Sequence, residues 1–223
     1  DEKINLIDSP GYAEFVSHAR PACRVADLAL VVVDGVSGIE VQTERTWNYA
    51  NEFILPRFMV ITKLEKERAD YDHAVETAKE SFARSIVSFT LPIGSEENFK
   101  GVVDVVHEKA FEFDTKGKAI EIDVPEDMAE AVASAREKLI EIVAESDDDL
   151  LEKYFDERTL PDEYILPNLA KAIAKSKLCP VFAVSSENLV GLSILLDYIV
   201  EFGPNPATHE KEYGYADHDM KGD

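Results

Sequence analysis

The sequence predicts an α/β fold: a mostly parallel sheet with helices on both faces, interrupted by an α+β insertion. Three observations predict it. Short continuous apolar runs recur, INLI at 4–7, LALVVVD at 28–34, RFMVIT at 57–62 and LCPVFAV at 178–184, as strands buried on both faces do. Turns and helical periodicities separate them, the alternation that builds a parallel sheet. Between about 91 and 179 that alternation stops, and short charged strands and long helices replace it.

Taken in order, residues 40–53 carry Val41, Trp47, Ala50 and Phe53 in a polar setting and predict an amphipathic crossover helix. A second helix is expected over 70–86, where Tyr71, Val75, Ala78, Phe82 and Ile86 recur at spacings of three and four, with Asp70 as its cap. LPIG at 91–94 reads as a turn-rich break, and VVDVV and AFEF read as short strands. A long helix follows from 125 to 145, with Met128, Val132, Ala135, Leu139 and Ile142 on one face and Pro125 in its first turn. Helical stretches at 148–155 and 162–175 precede the last strand signal, and a helix at 190–202 closes the ordered part. The expected domains are 1–90 (core, first part), 91–179 (inserted α+β subdomain), 180–204 (core, second part) and 205–223 (linker or flexible tail).

The charge balance, 45 acidic against 23 basic residues for a net −22, repels nucleic acid backbones and anionic membranes, so no direct DNA binding and no membrane association are expected. It suits a solvated surface or a basic partner equally. Cys23 and Cys179 lie far apart among apolar neighbours and read as buried residues in a reducing compartment. No window approaches 18 uninterrupted apolar residues and no signal pattern opens the chain; the expected location is cytoplasmic.

Ligands of open α/β sheets sit beyond the carboxyl ends of the strands. Three such exits stand out: Asp8-Ser9-Pro10-Gly11-Tyr12, Thr62-Lys63-Leu64-Glu65 and Ser185-Ser186-Glu187. An aspartate at a strand end can hold Mg²⁺ through a water, and a glycine just beyond it lets a backbone N–H approach a phosphate. Equally, Asp8 can cap the next helix while Pro10-Gly11 make the turn. Asp147-Asp148-Asp149 reads as a helix cap. His209 and His218, with Asp217 and Asp219, fall in the tail.

Taken together, the order and spacing of these exits resemble motifs of the translational GTPases, specifically the elongation factor G family. INLIDSPGYAEFV, GIEVQTERTW at 38–47, LPIGSEENFKGVVDVV and CPVFAVSSENLVGLSILLDYIVEFGPNP are each similar to that family's segments, so the resemblance covers residues 4–206. It implies a P-loop GTPase-type sheet and GTP/GDP with Mg²⁺ as cofactors. Asp8 would be the magnesium-side aspartate and Gly11 the γ-phosphate sensor, with Pro10 beside it in the nucleotide site and Tyr12 at the water-positioning place. Thr62, Lys63 and Glu65 would read the base, and Ser185 and Ser186 would support it. It also implies the ribosome and the ribosomal stalk protein as partners, the latter meeting the inserted subdomain.

Four residues depart from the family pattern. Tyr12 stands where the family has a histidine, Thr62 and Glu65 replace its asparagine and aspartate, and Ser186 replaces the alanine of its Ser-Ala. No G-x-x-x-x-G-K-[ST] loop occurs in these residues, so the phosphate loop and first strand are expected upstream, in a longer protein. This chain alone is then expected to be inactive. Two other readings stay open: a paralogue that hydrolyses GTP weakly or not at all and acts as a ribosome-binding regulator, and an acidic protein-interaction module.

Overall fold

The computed structural model describes residues 2–82 and 85–208, and in them two four-stranded sheets share one continuous apolar core. The expected tail histidines, His209 and His218, lie outside the described residues. The first sheet is wholly parallel. It comprises β1 (Ala29–Asp34), β2 (Arg57–Thr62), β3 (Ile86–Ser88) and β8 (Cys179–Ala183), in the spatial order β1-β2-β8-β3. Successive residues of a strand face opposite ways, and all of β8 and the first five residues of β2 are buried, so both faces of the sheet's centre are covered. On β1, Val31 and Val33 are buried whereas Leu30 and Val32 are exposed, which leaves one face of this edge strand in solvent.

A short 3₁₀ turn, Ala13–His18, leads into α1 (Ala19–Val25). Between β1 and β2, α2 (Val41–Glu52) buries Trp47 and Ala50. The Trp47 ring stacks on Phe82 at 4.2 Å and lies 4.4 Å from the Arg57 guanidinium carbon. As expected, α3 (Tyr71–Ser81) starts at Asp70, whose carboxylate accepts a hydrogen bond from the His73 N–H at 2.9 Å.

Three expectations need correction. The helix over 70–86 stops at Ser81, and Ile86 opens β3. Ile86 and Val87 pair with Cys179 and Pro180 of β8, a sheet slot that suits β-branched residues better than another helical turn. Residues 91–94 are not a turn-rich break. Thr90–Ile93 form β4, and only Gly94, at φ +82°, turns the chain. Pro92 is tolerated because β4 is the edge of the second sheet, which continues antiparallel through β5 (Gly101–Asp104), β6 (Lys109–Phe113) and β7 (Ala119–Ile122). The third correction concerns INLI. Residues 4–7 form no strand, and Leu6 is 79% exposed. A strand needs a neighbour to satisfy its backbone, and among the described residues none lies beside 4–7 or on the outer edge of β1.

Phe89 joins the sheets: its N–H donates to the Val181 carbonyl and its own carbonyl accepts from the Val105 N–H, each at 2.9 Å. Beyond the second sheet come α4 (Ala129–Glu145), α5 (Asp148–Glu157) and α6 (Asp162–Ala174), and α7 (Leu192–Phe202) follows β8. Asp147 caps α5 by accepting from the Asp149 and Leu150 N–H groups. On α7, Tyr198 packs edge-on against Phe89 and Phe182, with ring centroids 5.4 and 5.2 Å away. Cys23 and Cys179 are free thiols; Cys179 is buried, which pushes its pKa up to about 12, whereas Cys23 is only half-buried.

Candidate functional site

Because β1, β2 and β8 run parallel in adjacent register, with Asp34 beside Thr62 and Ile61 beside Ala183, their carboxyl ends open side by side. The loops leaving them form one rim. Lys63 turns out of β2 at φ +60°, and the Lys66 N–H closes the turn on the Lys63 carbonyl at 3.0 Å. The Lys63 ammonium donates to Asp34 Oδ2 at 2.6 Å, while Asp34 Oδ1 accepts the N–H groups of Val36 at 2.8 Å and Ser37 at 3.2 Å. Burial opposes the charge on Asp34, but the Lys63 bond and the two N–H groups outweigh it and hold its pKa below the ordinary value. The same bond raises that of Lys63.

Behind this pair the backbones are close. Gly35 N–H donates to the Thr62 carbonyl at 2.8 Å, and a Cβ at Gly35 would meet both that oxygen and Leu64 Cδ2 at 3.0 Å. Glycine therefore permits the approach that puts Asp34 beside Lys63. Leu64 is buried and pins the loop's middle. Glu65 is drawn inward with it: its side chain is 8% exposed, and its Oε2 is buried without a hydrogen-bond partner among the described residues.

The β8 exit is built differently. Ser185 is fully buried, its N–H and carbonyl exchange reciprocal 3.0 Å bonds with Val190, and its Oγ accepts from the Asn188 N–H at 3.0 Å. Ser186 and Glu187 are left on the rim, where Glu187 accepts from the Lys66 ammonium at 2.5 Å. That ion pair ties the two loops together.

Thr62, Lys63, Glu65, Ser185 and Ser186 are thus gathered at one end of the sheet. Asp8, Pro10, Gly11 and Tyr12 are not joined to them: all four are exposed, Tyr12 at 75%, and among the described residues no hydrogen bond or ion pair links them to this rim. No group of three His, Cys, Asp or Glu placed to hold a metal ion occurs among the described residues, so Mg²⁺ finds no assembled ligand set here. The base half of a nucleotide site does fit. A buried carboxylate oxygen without a donor is costly unless a ligand supplies one; adjacent ring and amino N–H groups supply donors of that kind, beside a lysine stem on which a ring can lie.

Residues 1–205 match the family described as the elongation factor Tu GTP binding domain. The chain belongs to this family. It is similar to an elongation factor G-like protein of Thermotoga maritima, 36% identical over 205 residues that make up 92% of this chain and 29% of that protein. A crystal structure of a Thermus thermophilus protein overlays with a TM-score of 0.82 at 35% identity, covering 90% of this chain and 30% of that one. The chain thus spans about three tenths of the length of these relatives. An elongation-factor-type GTP-binding domain carrying a second β-sheet accounts for the parallel sheet, the antiparallel addition and the rim at the carboxyl ends.

Sequence reading missed Asp34 and the Lys66–Glu187 pair. The signal for Asp34 was present: a charged residue ends the apolar run LALVVVD, as Asp8 ends INLI. Nothing local marks Lys66 and Glu187 as partners, since 121 positions separate them.

Proposed function

We propose that this chain is part of the GTPase domain of an elongation factor G-like translation factor, with residues 1–90 and 180–204 as core and 91–179 as its inserted subdomain. Lys63, positioned by Asp34, presents its stem to a guanine face, and Glu65 accepts the ring and amino N–H groups. Ser185 holds the backbone of the loop opposite. The buried, partnerless Glu65 oxygen carries this reading. Asp8 is assigned to Mg²⁺ through a water, and Gly11 to the γ-phosphate, on the family match and their place after residues 4–7. When bound, the ion would neutralise phosphate charge. The parent protein would hydrolyse GTP to GDP and phosphate on the cytoplasmic ribosome, the insert meeting the ribosomal stalk protein.

Replacing Glu65 with glutamine tests the base assignment. The amide keeps the shape but offers one acceptor and two donors, so GDP affinity of the full-length protein should fall by about 1.5–3 kcal/mol. Unchanged affinity would remove Glu65 from the site.

Tyr12 favours a second reading, a factor that binds the ribosome but hydrolyses GTP slowly. A phenol lacks the charge that an imidazole carries near neutral pH. Under this reading, Tyr12→His in the full-length protein raises ribosome-stimulated GTP hydrolysis; a wild type already as fast as its histidine-bearing relatives would sink it.

A further inference from the structure

The turn between β6 and β7 reaches the loop that follows β8. A Cβ on Gly117 would lie 2.8 Å from Leu189 Cβ and 3.2 Å from the Leu189 carbonyl oxygen, so the two segments touch and a side chain does not fit between them. The turn is held firmly. Its Asp114 carboxylate accepts from the Lys116 N–H at 2.8 Å and the Lys118 N–H at 2.9 Å, and Gly117, at φ +76°, donates its N–H to the Asp114 carbonyl at 2.9 Å. On the other side Leu189 sits at φ +57°, a backbone state that leucine seldom adopts without surrounding support. It lies inside the loop closed by the Ser185–Val190 bonds, which also carries Ser186 and Glu187.

We propose that the β6–β7 turn is a positioning element of the nucleotide site: Gly117 braces Leu189, Leu189 fixes the Ser185–Val190 loop, and the second sheet thereby sets nucleotide affinity. The Lys66–Glu187 pair extends the effect to the Thr62–Glu65 loop, since it links the two rims directly. A displacement of the second sheet at this turn is then felt at the base through the contact of Gly117 with Leu189. This inference rests on the guanine-nucleotide reading above.

The test is Gly117→Ala in the full-length protein, read by GDP dissociation and by amide hydrogen exchange. The added methyl forces the two segments apart. GDP should leave about ten-fold faster, and the Asn188 and Val190 amides should exchange faster, while those of β5 and β6 keep their protection. A purely structural role predicts lower thermal stability with wild-type GDP dissociation and wild-type exchange at Asn188 and Val190, and that result overturns the proposal. Should Gly117→Ala not fold, Leu189→Gly removes the side chain that meets Gly117 with the turn left intact and carries the same expectations. A wild type that binds no GDP overturns the nucleotide reading and with it the effect on affinity; exchange at Asn188 and Val190 still decides the brace.

Discussion

At the scale of single residues the site is a set of charges held in place by backbone. Asp34 shows how. Its two oxygens have separate duties, one on the Lys63 ammonium and one on the N–H groups of Val36 and Ser37. Asp34→Asn can keep the second duty through its amide oxygen while losing the charge on the first. An exposed pair of this kind is screened by solvent and contributes little to stability, so the melting temperature should barely move. Binding should respond more strongly, because a freed lysine stem must be ordered again around the base: about a ten-fold loss of GDP affinity is expected by titration calorimetry, near 1.4 kcal/mol. Equal affinity in both proteins would show that Lys63 needs no anchor. Thr62, Lys63, Glu65, Ser185 and Ser186 were legible in the sequence because strand exits of a parallel sheet must converge. That the Glu65 side chain is tucked in was not, since it depends on Leu64 being pulled into the core from a turn with Lys63 at positive φ.

At the scale of elements, the parallel strands with apolar runs on both faces and the long helices were readable. The misjudged pieces were short and owed their structure to neighbours. β3 has three residues and exists because β8 accepts it; β4 tolerates Pro92 because it is an edge; INLI has strand composition but no described partner. One junction between elements carries a pH signature. Asp104 at the end of β5 accepts from the Tyr198 hydroxyl of α7 and faces His107 Nδ1 at 2.9 Å, while His107 Nε2 lies 3.5 Å from Glu201 of α7. The Asp104 bond, foremost among these contacts, raises the His107 pKa above its ordinary 6.5 despite partial burial. A raised folded pKa means that protonated His107 stabilises the fold fully below the unfolded value and that this contribution is lost as pH climbs through the folded one. The melting temperature should therefore decline from pH 6 to pH 8 more steeply in the wild type than in His107→Gln. Parallel pH profiles in the two proteins would show that the junction does not depend on the imidazolium.

For the whole molecule, β1 is an edge strand of the parallel sheet among the described residues, and its Val32 is 60% exposed. The net charge of −22 keeps such a surface soluble while disfavouring nucleic acid backbones. Two sheets share a core, and the turn between β6 and β7 of the second meets the loop that leaves β8 of the first at Gly117 and Leu189. The central claim is that this rim reads guanine. Calorimetric titration of GDP and of ADP, each with Mg²⁺, into the full-length protein tests it most directly. The account predicts GDP binding at least about a hundred-fold tighter than ADP, because adenine lacks the N–H groups that Glu65 would accept. Equal affinities, or no binding of either nucleotide, would contradict it.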